Sequence, residues 1–438
     1  MSNVIDELNW RGLIQAYSNE ENVRKLFETK QTIYCGFDPS ASSMHIGNFV
    51  MISILMRLQQ AGHKIIAIVG GGTGMIGDPS GKSKERSFLT EQKVLENTNA
   101  IKEQLERFID LTDPEKGMIL NNYDWLSKLS LLEYLRDTAK FFPINYMLSK
   151  DIVKSRLDVG ISLTEFCYMT LQSYDFKLLH DKYGASIQIG GNDQWGNLTA
   201  GLDYIRKTEG EDQEVECMTA HLITRSDGKK FGKSEDGALF LDPKLTSPYK
   251  LYQFFINQTD EDSVKYLKVF TFLSKEKINE IAEEHYANLG KRVAQKVLAF
   301  EVTKTIHGEE AALEAKKMSE SLFSNDFKSL KEESIDELFG SIKVTISEPM
   351  ILEDLLIITK AASSKREARD FIKNGAVSIN GEKFVDAQQL INKEYSLYNK
   401  YLVLRRGKKN YYLVVLDFWL FWIIINLVFD FFCMFFRS

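Results

Sequence analysis

The sequence predicts an α/β protein whose core is a doubly wound parallel sheet, followed by a helical region and a small region in which helices precede strands. Strand-like and helix-like segments alternate through the first half of the 438 residues, and this alternation is typical of parallel sheets joined by helical crossovers. Polar or glycine-rich loops follow three predicted strands, after Phe37, Val69 and Ile189. Since such sheets bind ligands at the carboxyl ends of their strands, these loops are where we look for chemistry.

The individual elements follow from apolar periodicity and from turn residues. The run 64–69 is almost wholly apolar, as expected of a buried strand. In chain order we predict a strand at 31–37, a helix at 46–60, a strand at 64–69, a helix at 91–109, a strand at 117–120, a helix at 164–183, a strand at 185–189 and a helix at 193–207. The first 14 residues fit a short amphipathic helix and lack a basic segment before an apolar run, so we expect neither a secretory signal nor a transit peptide.

The second half is predicted to be organised differently. Residues 241–322 are rich in Lys, Glu and Ala and should form helices, whereas the polar, acidic residues 323–349 are predicted to be a linker. Residues 350–416 contain two helical segments and then apolar alternations around the turn Asn380-Gly381. The expected domains are therefore 1–240, 241–322 and 350–416, with the linker between the last two and an apolar tail at 417–438.

Composition and charge narrow the class of protein. The chain is 44% hydrophobic and 26% charged with 7 prolines, which excludes collagen-like and disordered chains. Residues 351–415 carry 12 Lys or Arg against 7 Asp or Glu, although the whole chain has a net charge of −6. A basic module on an acidic body indicates either a polyanionic partner or an ordinary solvated surface. The four cysteines are far apart, which favours a reducing compartment and argues against a cysteine-built zinc site.

The glycine-rich loop 72–77 fits the G-x-G-x-x-G pattern of dinucleotide-binding proteins and follows a predicted strand. Pro79 comes too soon after it for a helix whose N-terminus could hold a pyrophosphate. The spacing of the glycines before Lys82 also departs from a phosphate-binding P-loop. A structural turn and an NAD site both remain open from this pattern, and the turn is favoured.

Four further patterns each allow a structural and a functional interpretation. His45 and Asn48 lie at the start of a predicted helix, where they could cap it or hold a phosphate. The loop 229–234 contains three lysines, which could be solvated or could neutralise a triphosphate. Tyr168, Gln172 and Asp175 share one helical stripe, which indicates a buried hydrogen-bonded network or a ligand site. Asp193 could cap the helix that it precedes or receive ribose hydroxyls.

The order and spacing of these motifs resemble the class I aminoacyl-tRNA synthetases and, more closely, the bacterial tyrosyl-tRNA synthetases. The resemblance runs from about residue 3 to 415 and depends on Cys35-Gly36-Phe37-Asp38-Pro39-Ser40, His45-Ile46-Gly47-Asn48, Gly190-Gly191-Asn192-Asp193-Gln194-Trp195 and Lys230-Phe231-Gly232-Lys233-Ser234. The second of these is similar to the family's HIGH element and the last to its KMSKS loop. Two departures, Asn48 in place of His and Phe231-Gly232 in place of Met-Ser, are expected to have modest effects. Residues 350–416 resemble an S4-type RNA-binding domain.

The resemblance implies a Rossmann-like catalytic domain that ligates L-tyrosine to tRNA(Tyr) with ATP, through a tyrosyl-adenylate and with release of pyrophosphate. It implies a tyrosine site, an ATP site and a set of catalytic groups. The tyrosine site is Tyr34, Asp78, Tyr168, Gln172, Asp175, Gln188 and Gln194. The ATP site is Cys35, Gly36, Asp38, His45, Gly47, Gly191, Asp193 and Lys233, and the catalytic groups are His45, Asn48, Lys82, Arg86, Lys230 and Lys233.

Adenylate formation needs alignment and charge stabilisation and no protein nucleophile, which suits this set of residues. Mg²⁺ is expected to arrive with ATP as part of the substrate, with no tightly held metal in the protein. The expected partners are tyrosine, ATP, tRNA(Tyr) and a second copy of the chain, in the cytoplasm. A tryptophan-specific relative, an NAD-dependent oxidoreductase and a non-catalytic RNA-binding protein are the alternatives.

The tail from about residue 417 departs from the family. Between Phe418 and Phe436 the polar residues are Asn426 and Asp430, so the segment is long enough to span a bilayer. It is rich in Phe and Trp, and Asp430 within it would cost about 2.5–3.5 kcal/mol on insertion. We therefore expect that it is not part of the working fold and reflects a frameshifted or read-through end, and that membrane association is the less favoured alternative.

Overall fold

A computed structural model describes residues 3–80, 89–154, 156–158, 160–224, 226, 231, 233–234, 237–340, 343–407 and 410–417. Contacts within the chain divide it into two compact units, 1–307 and 308–438. This division differs from the predicted domains, because the helices up to residue 307 belong with the sheet-containing first unit. The apolar tail from 418 lies outside the described residues. Within the described part, no helix is both long and apolar enough to cross a membrane.

The first unit is built on a six-stranded sheet whose parallel core was predicted. Its strands are β1 Ile14–Tyr17, β2 Thr32–Phe37, β3 Lys64–Val69, β4 Gly117–Asn121, β5 Ala185–Gly191 and β6 Glu216–Ala220. They are arranged in the order β1-β6-β5-β2-β3-β4, and all neighbours are parallel except β1 and β6. The predicted doubly wound α/β fold is therefore confirmed. The antiparallel edge strand β1 was not predicted, because Ile14 was assigned to the N-terminal helix.

The helices predicted at 46–60, 91–109, 164–183 and 193–207 begin and end within three residues of the predicted positions, whereas several shorter helices between them were not predicted. The helices that connect and flank the strands are α1 Val4–Trp10, α2 Glu20–Leu26, α3 Ile46–Gln60, α4 Thr73–Ile76, α5 Glu91–Glu106, α6 Tyr123–Leu126, α7 Leu131–Glu133, α8 Ile144–Ser149, α9 Asp151–Lys154, α10 Leu163–Tyr183 and α11 Trp195–Glu209. A π-helical turn Tyr134–Thr138 and 3₁₀ turns at Ala139–Phe141 and Asn192–Gln194 complete this region. Helix α10 ends where Gly184 adopts a left-handed conformation (φ 65°), as helix termini commonly do.

The rest of the first unit is helical, as predicted for the segment after 241. After a two-stranded hairpin, β7 Lys233–Ser234 with β8 Gly237–Ala238, come α12 Pro248–Ile256, α13 Asp260–Phe270, α14 Lys275–Ala287 and α15 Val293–His307. Two buried arginines, Arg11 after α1 and Arg57 in α3, donate hydrogen bonds to carbonyl groups in the last turn of α13 and just after it. These bonds satisfy carbonyls that a helix end leaves without partners. They join the helical region to α3.

The described part of the second unit combines four α-helices with a five-stranded sheet. Its elements are α16 Glu309–Ser324, α17 Glu332–Phe339, β9 Lys343–Ile346, β10 Met350–Ile351, α18 Leu352–Ile358, α19 Lys365–Lys373, β11 Val377–Ile379, β12 Glu382–Lys383, β13 Leu390–Ile391, β14 Tyr401–Arg406 and β15 Asn410–Leu416. The sheet order is β12-β11-β14-β15-β9, with β9 and β15 parallel. The predicted turn at Asn380-Gly381 connects β11 to β12.

The segment 323–349 is not the linker that the sequence indicated. It contains α17 and β9, and β9 pairs with β15 from Lys343 opposite Leu413 to Ile346 opposite Leu416. In α17 the side chains of Ile335 and Phe339 are buried. The polar composition was misleading because a short amphipathic helix and an edge strand need few apolar residues to pack on one side.

Candidate active site

The order of the strands creates a crevice between β2 and β5. In the sheet, β3 and β4 lie on one side of β2, and β5 and β6 lie on its other side. At such a switch point the loops after adjacent strands turn away from each other and leave room for a ligand. Tyr34 of β2 lies opposite Gln188 of β5, and the Gln188 Nε2 donates a hydrogen bond of 2.6 Å to the Tyr34 hydroxyl oxygen. Both side chains are buried.

The carboxyl group of Asp175 is buried next to this pair and is held by two donors. The Trp125 Nε1 donates to one carboxylate oxygen over 2.7 Å, and the Asn122 Nδ2 donates to the other over 3.0 Å. Burial raises the pKa of Asp175 to about 7, although both hydrogen bonds oppose that rise. Burial and the nearby carboxyl of Asp175 raise the pKa of Tyr34 well above its usual value. The two groups therefore form a neutral hydroxyl beside a carboxyl that ionises near neutral pH.

A second network surrounds Asp38 at the end of β2. Its carboxylate accepts hydrogen bonds from the Tyr168 hydroxyl at 2.7 Å and from the Thr73 hydroxyl at 2.9 Å. The Asn122 Nδ2 also donates to the Thr73 hydroxyl at 3.0 Å, which connects this network to that of Asp175. A β-carbon added at Gly70 would lie 2.2 Å from an Asp38 carboxylate oxygen. Because the loop after β3 passes this close, any larger residue at position 70 would have to displace the Asp38 carboxylate.

A third network connects the loop after β3 with the start of α11. The Gln194 Nε2 donates to the Asp78 carboxylate over 2.5 Å, and the other Asp78 oxygen accepts the backbone N–H of Ser80 over 2.9 Å. The Asn197 Nδ2 donates to the Gln194 Oε1 over 3.0 Å and to the Ser80 hydroxyl over 3.3 Å. Since Asn197 occupies the Gln194 oxygen, the Gln194 nitrogen is directed toward Asp78.

His45 caps helix α3 with its own ring. The His45 Nδ1 accepts the backbone N–H groups of Gly47 (3.1 Å) and Asn48 (3.3 Å), and the Asn48 Oδ1 accepts the His45 backbone N–H over 3.0 Å. A β-carbon at Gly47 would lie 2.9 Å from the His45 Cε1, so only glycine lets the ring fold back in this way. With Nδ1 accepting, the proton of neutral His45 is on Nε2. The capping interpretation is thus observed, and it also fixes the tautomer that a ligand would meet.

The remaining sequence-predicted positions differ in how they are placed. Gln172 is half-buried on α10 between Tyr168 and Asp175. Gly36 is exposed, and among the described residues no neighbour outside the adjoining backbone would lie within 4 Å of a β-carbon there, so one face of β2 is open. The buried thiol of Cys35 has a pKa raised to about 12 by burial, which makes it a poor nucleophile. Gly191 and Asp193 lie at the end of β5 and in the 3₁₀ turn before α11, where Asp193 is exposed.

The basic groups of the predicted site fall wholly or partly outside the described residues. Lys82, Arg86 and Lys230 lie outside the described residues, and the backbone of Lys233 alone is described, in β7. Phe231 is described, and its ring is 4.9 Å from that of Phe270. Among the described residues, no group of three or more His, Cys, Asp or Glu side chains is arranged to hold a metal ion.

Several residues of the site were missed from the sequence, among them Thr73, Asn122 and Trp125. They follow β3 and β4, at the same edge of the sheet as the predicted positions. A signal was present, because Asn121-Asn122 comes directly after a predicted strand. The spacing of residues did not indicate that Trp125 would donate to a carboxylate 50 residues later in the chain.

Comparison with known proteins identifies relatives over nearly the whole chain. Residues 26–324 match the family model described as tRNA synthetases class I (W and Y), and residues 334–414 match that of the tyrosine–tRNA ligase SYY-like C-terminal domain. The chain is 48% identical over 415 residues to the tyrosine–tRNA ligase of Bacillus caldotenax, covering 94% of this chain and 99% of that protein. It is 50% identical over 419 residues to that of Bacillus velezensis, with coverages of 94% and 100%. A C-terminally truncated mitochondrial tyrosyl-tRNA synthetase of Aspergillus nidulans superposes with a TM-score of 0.66 at 30% identity, over 74% of this chain and 95% of that one.

Proposed function

Because the chain belongs to the class I tRNA synthetases and, within them, to the tyrosine–tRNA ligases, we propose a residue-level account of its reaction. The enzyme ligates L-tyrosine to tRNA(Tyr), consuming ATP and releasing pyrophosphate through a tyrosyl-adenylate. The observation that carries the residue assignments is the buried pair of Tyr34 and Asp175 at the switch point of the sheet. A cytoplasmic location is part of the proposal, since the ribosome consumes the product.

Tyr34 and Asp175 recognise the phenol of the substrate. Asp175 accepts the proton of the substrate hydroxyl, and Tyr34 donates to the substrate oxygen. A phenylalanine side chain would leave the Tyr34 proton and one acceptor position of the Asp175 carboxylate unsatisfied in a buried site, and unsatisfied buried polar groups are costly. An indole offers no hydroxyl to this pair, which argues against tryptophan as the substrate.

Asp78, Tyr168 and Gln172 receive the ammonium group of tyrosine, and Gln194 supports them. The Asp78 carboxylate accepts two hydrogen bonds within the protein, and a carboxylate has about four acceptor positions. It can therefore still accept a proton of the ammonium group. Tyr168 is oriented by its bond to Asp38, so the ring is fixed before the substrate arrives.

The loop after β2, the start of α3 and the end of β5 hold ATP. His45 presents its Nε2–H to the phosphates at a helix N-terminus, which itself favours an anion. Asn48 and Gly47 maintain that orientation, as described above. Cys35, Gly36, Asp38, Gly191 and Asp193 accommodate the adenosine, where the open face of Gly36 admits a flat group.

The carboxylate of tyrosine attacks the α-phosphorus while pyrophosphate leaves. Negative charge therefore moves onto the leaving group, and positive side chains near it lower the barrier. Lys82, Arg86, Lys230 and Lys233 supply this charge in the proposal. Mg²⁺ enters bound to ATP, as part of the substrate.

The second unit binds the tRNA. Residues 351–415 carry a net charge of +5 within an acidic chain, and contacts to phosphates supply much of the affinity for nucleic acids. Arg366 and Lys373 are exposed at the two ends of α19. The double variant Arg366→Ala with Lys373→Ala should raise the KM for tRNA and leave tyrosine activation unchanged, and an unchanged KM would contradict this part of the proposal.

The enzyme works as a homodimer through the segment 131–163. Large apolar side chains are exposed along it: Leu131, Leu132, Leu135, Ile144, Leu148, Leu157 and Leu163. Such a concentration of exposed apolar surface is typical of protein interfaces. In analytical ultracentrifugation Leu132→Asp should shift the sedimenting species to the monomer, whereas Leu95→Asp, at an exposed position on α5, should not. An unshifted Leu132→Asp would rule out this interface.

The experiment that tests the main proposal is ATP–pyrophosphate exchange with tyrosine, tryptophan and phenylalanine. Exchange should depend on tyrosine and fall to background with the other two at matched concentrations. Asp175→Ala should abolish tyrosine-dependent exchange, because it removes the acceptor for the phenol. Exchange that depends equally on tryptophan would overturn the assignment of Tyr34 and Asp175.

A further inference from the structure

The buried side chain of Gln188 contacts Tyr34, and its hydrogen bonding indicates its part in the reaction. It lies on β5 directly opposite Tyr34 on β2, and it is 2% exposed. Its Nε2 lies 2.6 Å from the Tyr34 hydroxyl oxygen. Its Oε1 is buried and has no hydrogen-bond partner among the described residues. The amide therefore makes one hydrogen bond within the described site, and that bond goes to Tyr34.

The direction of this bond decides what Tyr34 can offer to a substrate. A tyrosine hydroxyl has one proton and can accept two hydrogen bonds. When the Gln188 nitrogen donates, the proton of Tyr34 is not consumed by Gln188 and can be given to a third group. If the amide were reversed, its oxygen would take that proton and Tyr34 could only accept.

The substrate phenol needs the first arrangement. The phenol has a single proton to donate, and the Asp175 carboxylate, already oriented by Asn122 and Trp125, is its acceptor. The phenol oxygen then needs a donor, and Tyr34 is that donor only if Gln188 does not hold its proton. A Tyr34 that could only accept would compete with Asp175 for the same proton.

We propose, on the basis of the proposed function, that Gln188 is a positioning residue that directs the proton of Tyr34 to the hydroxyl of the substrate and so contributes to the choice of tyrosine over phenylalanine. Gln188 acts through Tyr34. Its effect on specificity therefore disappears when the Tyr34 hydroxyl is removed.

The test is a double-mutant cycle of Gln188→Met with Tyr34→Phe, read as the ratio of kcat/KM for tyrosine to that for phenylalanine in ATP–pyrophosphate exchange. Methionine keeps the length of the side chain and removes the donor. In the wild-type background Gln188→Met should lower the ratio by about 5- to 30-fold, the loss expected for one buried hydrogen bond. In the Tyr34→Phe background it should change the ratio by less than about twofold, since coupled residues are not additive.

Two outcomes overturn the proposal: an equal loss for both substrates, which leaves the ratio unchanged, or the same change of ratio in both backgrounds. Thr219→Val, which alters another fully buried polar side chain in the adjacent strand β6, is the matched control and should leave the ratio unchanged. If Gln188→Met does not fold, Gln188→Asn, which shortens the reach by one methylene, carries the same expectation. A wild-type enzyme without tyrosine-dependent exchange would instead refute the proposed function, so the two failures are distinguishable.

Discussion

Replacing Trp125 with phenylalanine should change the pH dependence of tyrosine binding. The indole N–H of Trp125 donates to Asp175 over 2.7 Å and stabilises its ionised form. Phenylalanine keeps an aromatic ring at the position but cannot donate. The carboxyl would then keep one of its two donors, Asn122, and its pKa should rise further above about 7.

The size of the effect follows from the strength of that bond. A hydrogen bond to a charged group is worth about 1.5–3 kcal/mol, and one pKa unit corresponds to about 1.36 kcal/mol. The pKa of Asp175 should therefore rise by about one to two units, from about 7. Tyrosine binds the ionised carboxyl in the proposed site, so the affinity should fall by about 3- to 25-fold at about pH 7.5. The loss should grow as the pH falls, and it should shrink as the pH rises through the new pKa.

The assay is the dissociation constant of tyrosine measured by isothermal titration calorimetry between about pH 6.5 and 8.5. Trp10→Phe is the matched control, because Trp10 contacts Arg11 and two lysines and its removal makes the same chemical change elsewhere. A loss of affinity in Trp125→Phe that is the same at both ends of the pH range would refute the reasoning. It would indicate altered packing of the pocket instead of altered ionisation of Asp175.

Three further predictions concern stability and nucleotide binding. Asn380→Ala should lower the free energy of unfolding by about 3 kcal/mol in chemical denaturation. Asn380 has a left-handed backbone (φ 49°), and its side chain forms hydrogen bonds with two backbone groups. Asn380→Gly should lower the free energy less, because glycine adopts that backbone conformation without strain. Arg11→Met should lower the free energy of unfolding by a similar amount, about 3 kcal/mol, since Arg11 donates to three carbonyls in the last turn of α13 and just after it. A loss below about 0.5 kcal/mol would show that water replaces those bonds. Gly36→Ala should leave thermal stability unchanged, because no other part of the described chain lies within 4 Å of the added carbon. It should raise the KM for ATP, and an unchanged KM would place the nucleotide elsewhere.

The parts of the fold that the sequence predicted are those with a strong local pattern. Strand β3 is buried at every position after Lys64, and α3 carries its cap in the residues that precede it. Strand β1 lacks such a pattern, because it has four residues and depends on pairing with β6, about 200 residues later. Its existence is decided by tertiary contact, which local periodicity does not contain.

The residues of the site also divide into those with a local sequence pattern, which were predicted, and those without one, which were not. The stripe of Tyr168, Gln172 and Asp175 was visible because helical spacing placed polar groups on one face, and the resemblance supplied their roles. Asn197 was not identified, although it orients Gln194 through a bond of 3.0 Å. Its role depends on which of the two Gln194 amide atoms faces Asp78, and a sequence does not specify the rotation of an amide.

The pairing of β9 with β15 has a consequence for the synthesis of the chain. Strand β9 begins at Lys343, and its partner in the sheet ends at Leu416. At about 5–20 residues per second, the ribosome needs about 4 to 15 s to deliver the second strand after the first. During that interval β9 is a nascent strand with unpaired backbone groups, which are open to pairing with other chains. The second unit therefore completes its sheet only as β15 emerges, whereas the sheet of the first unit has all its strands once residue 220 has been made.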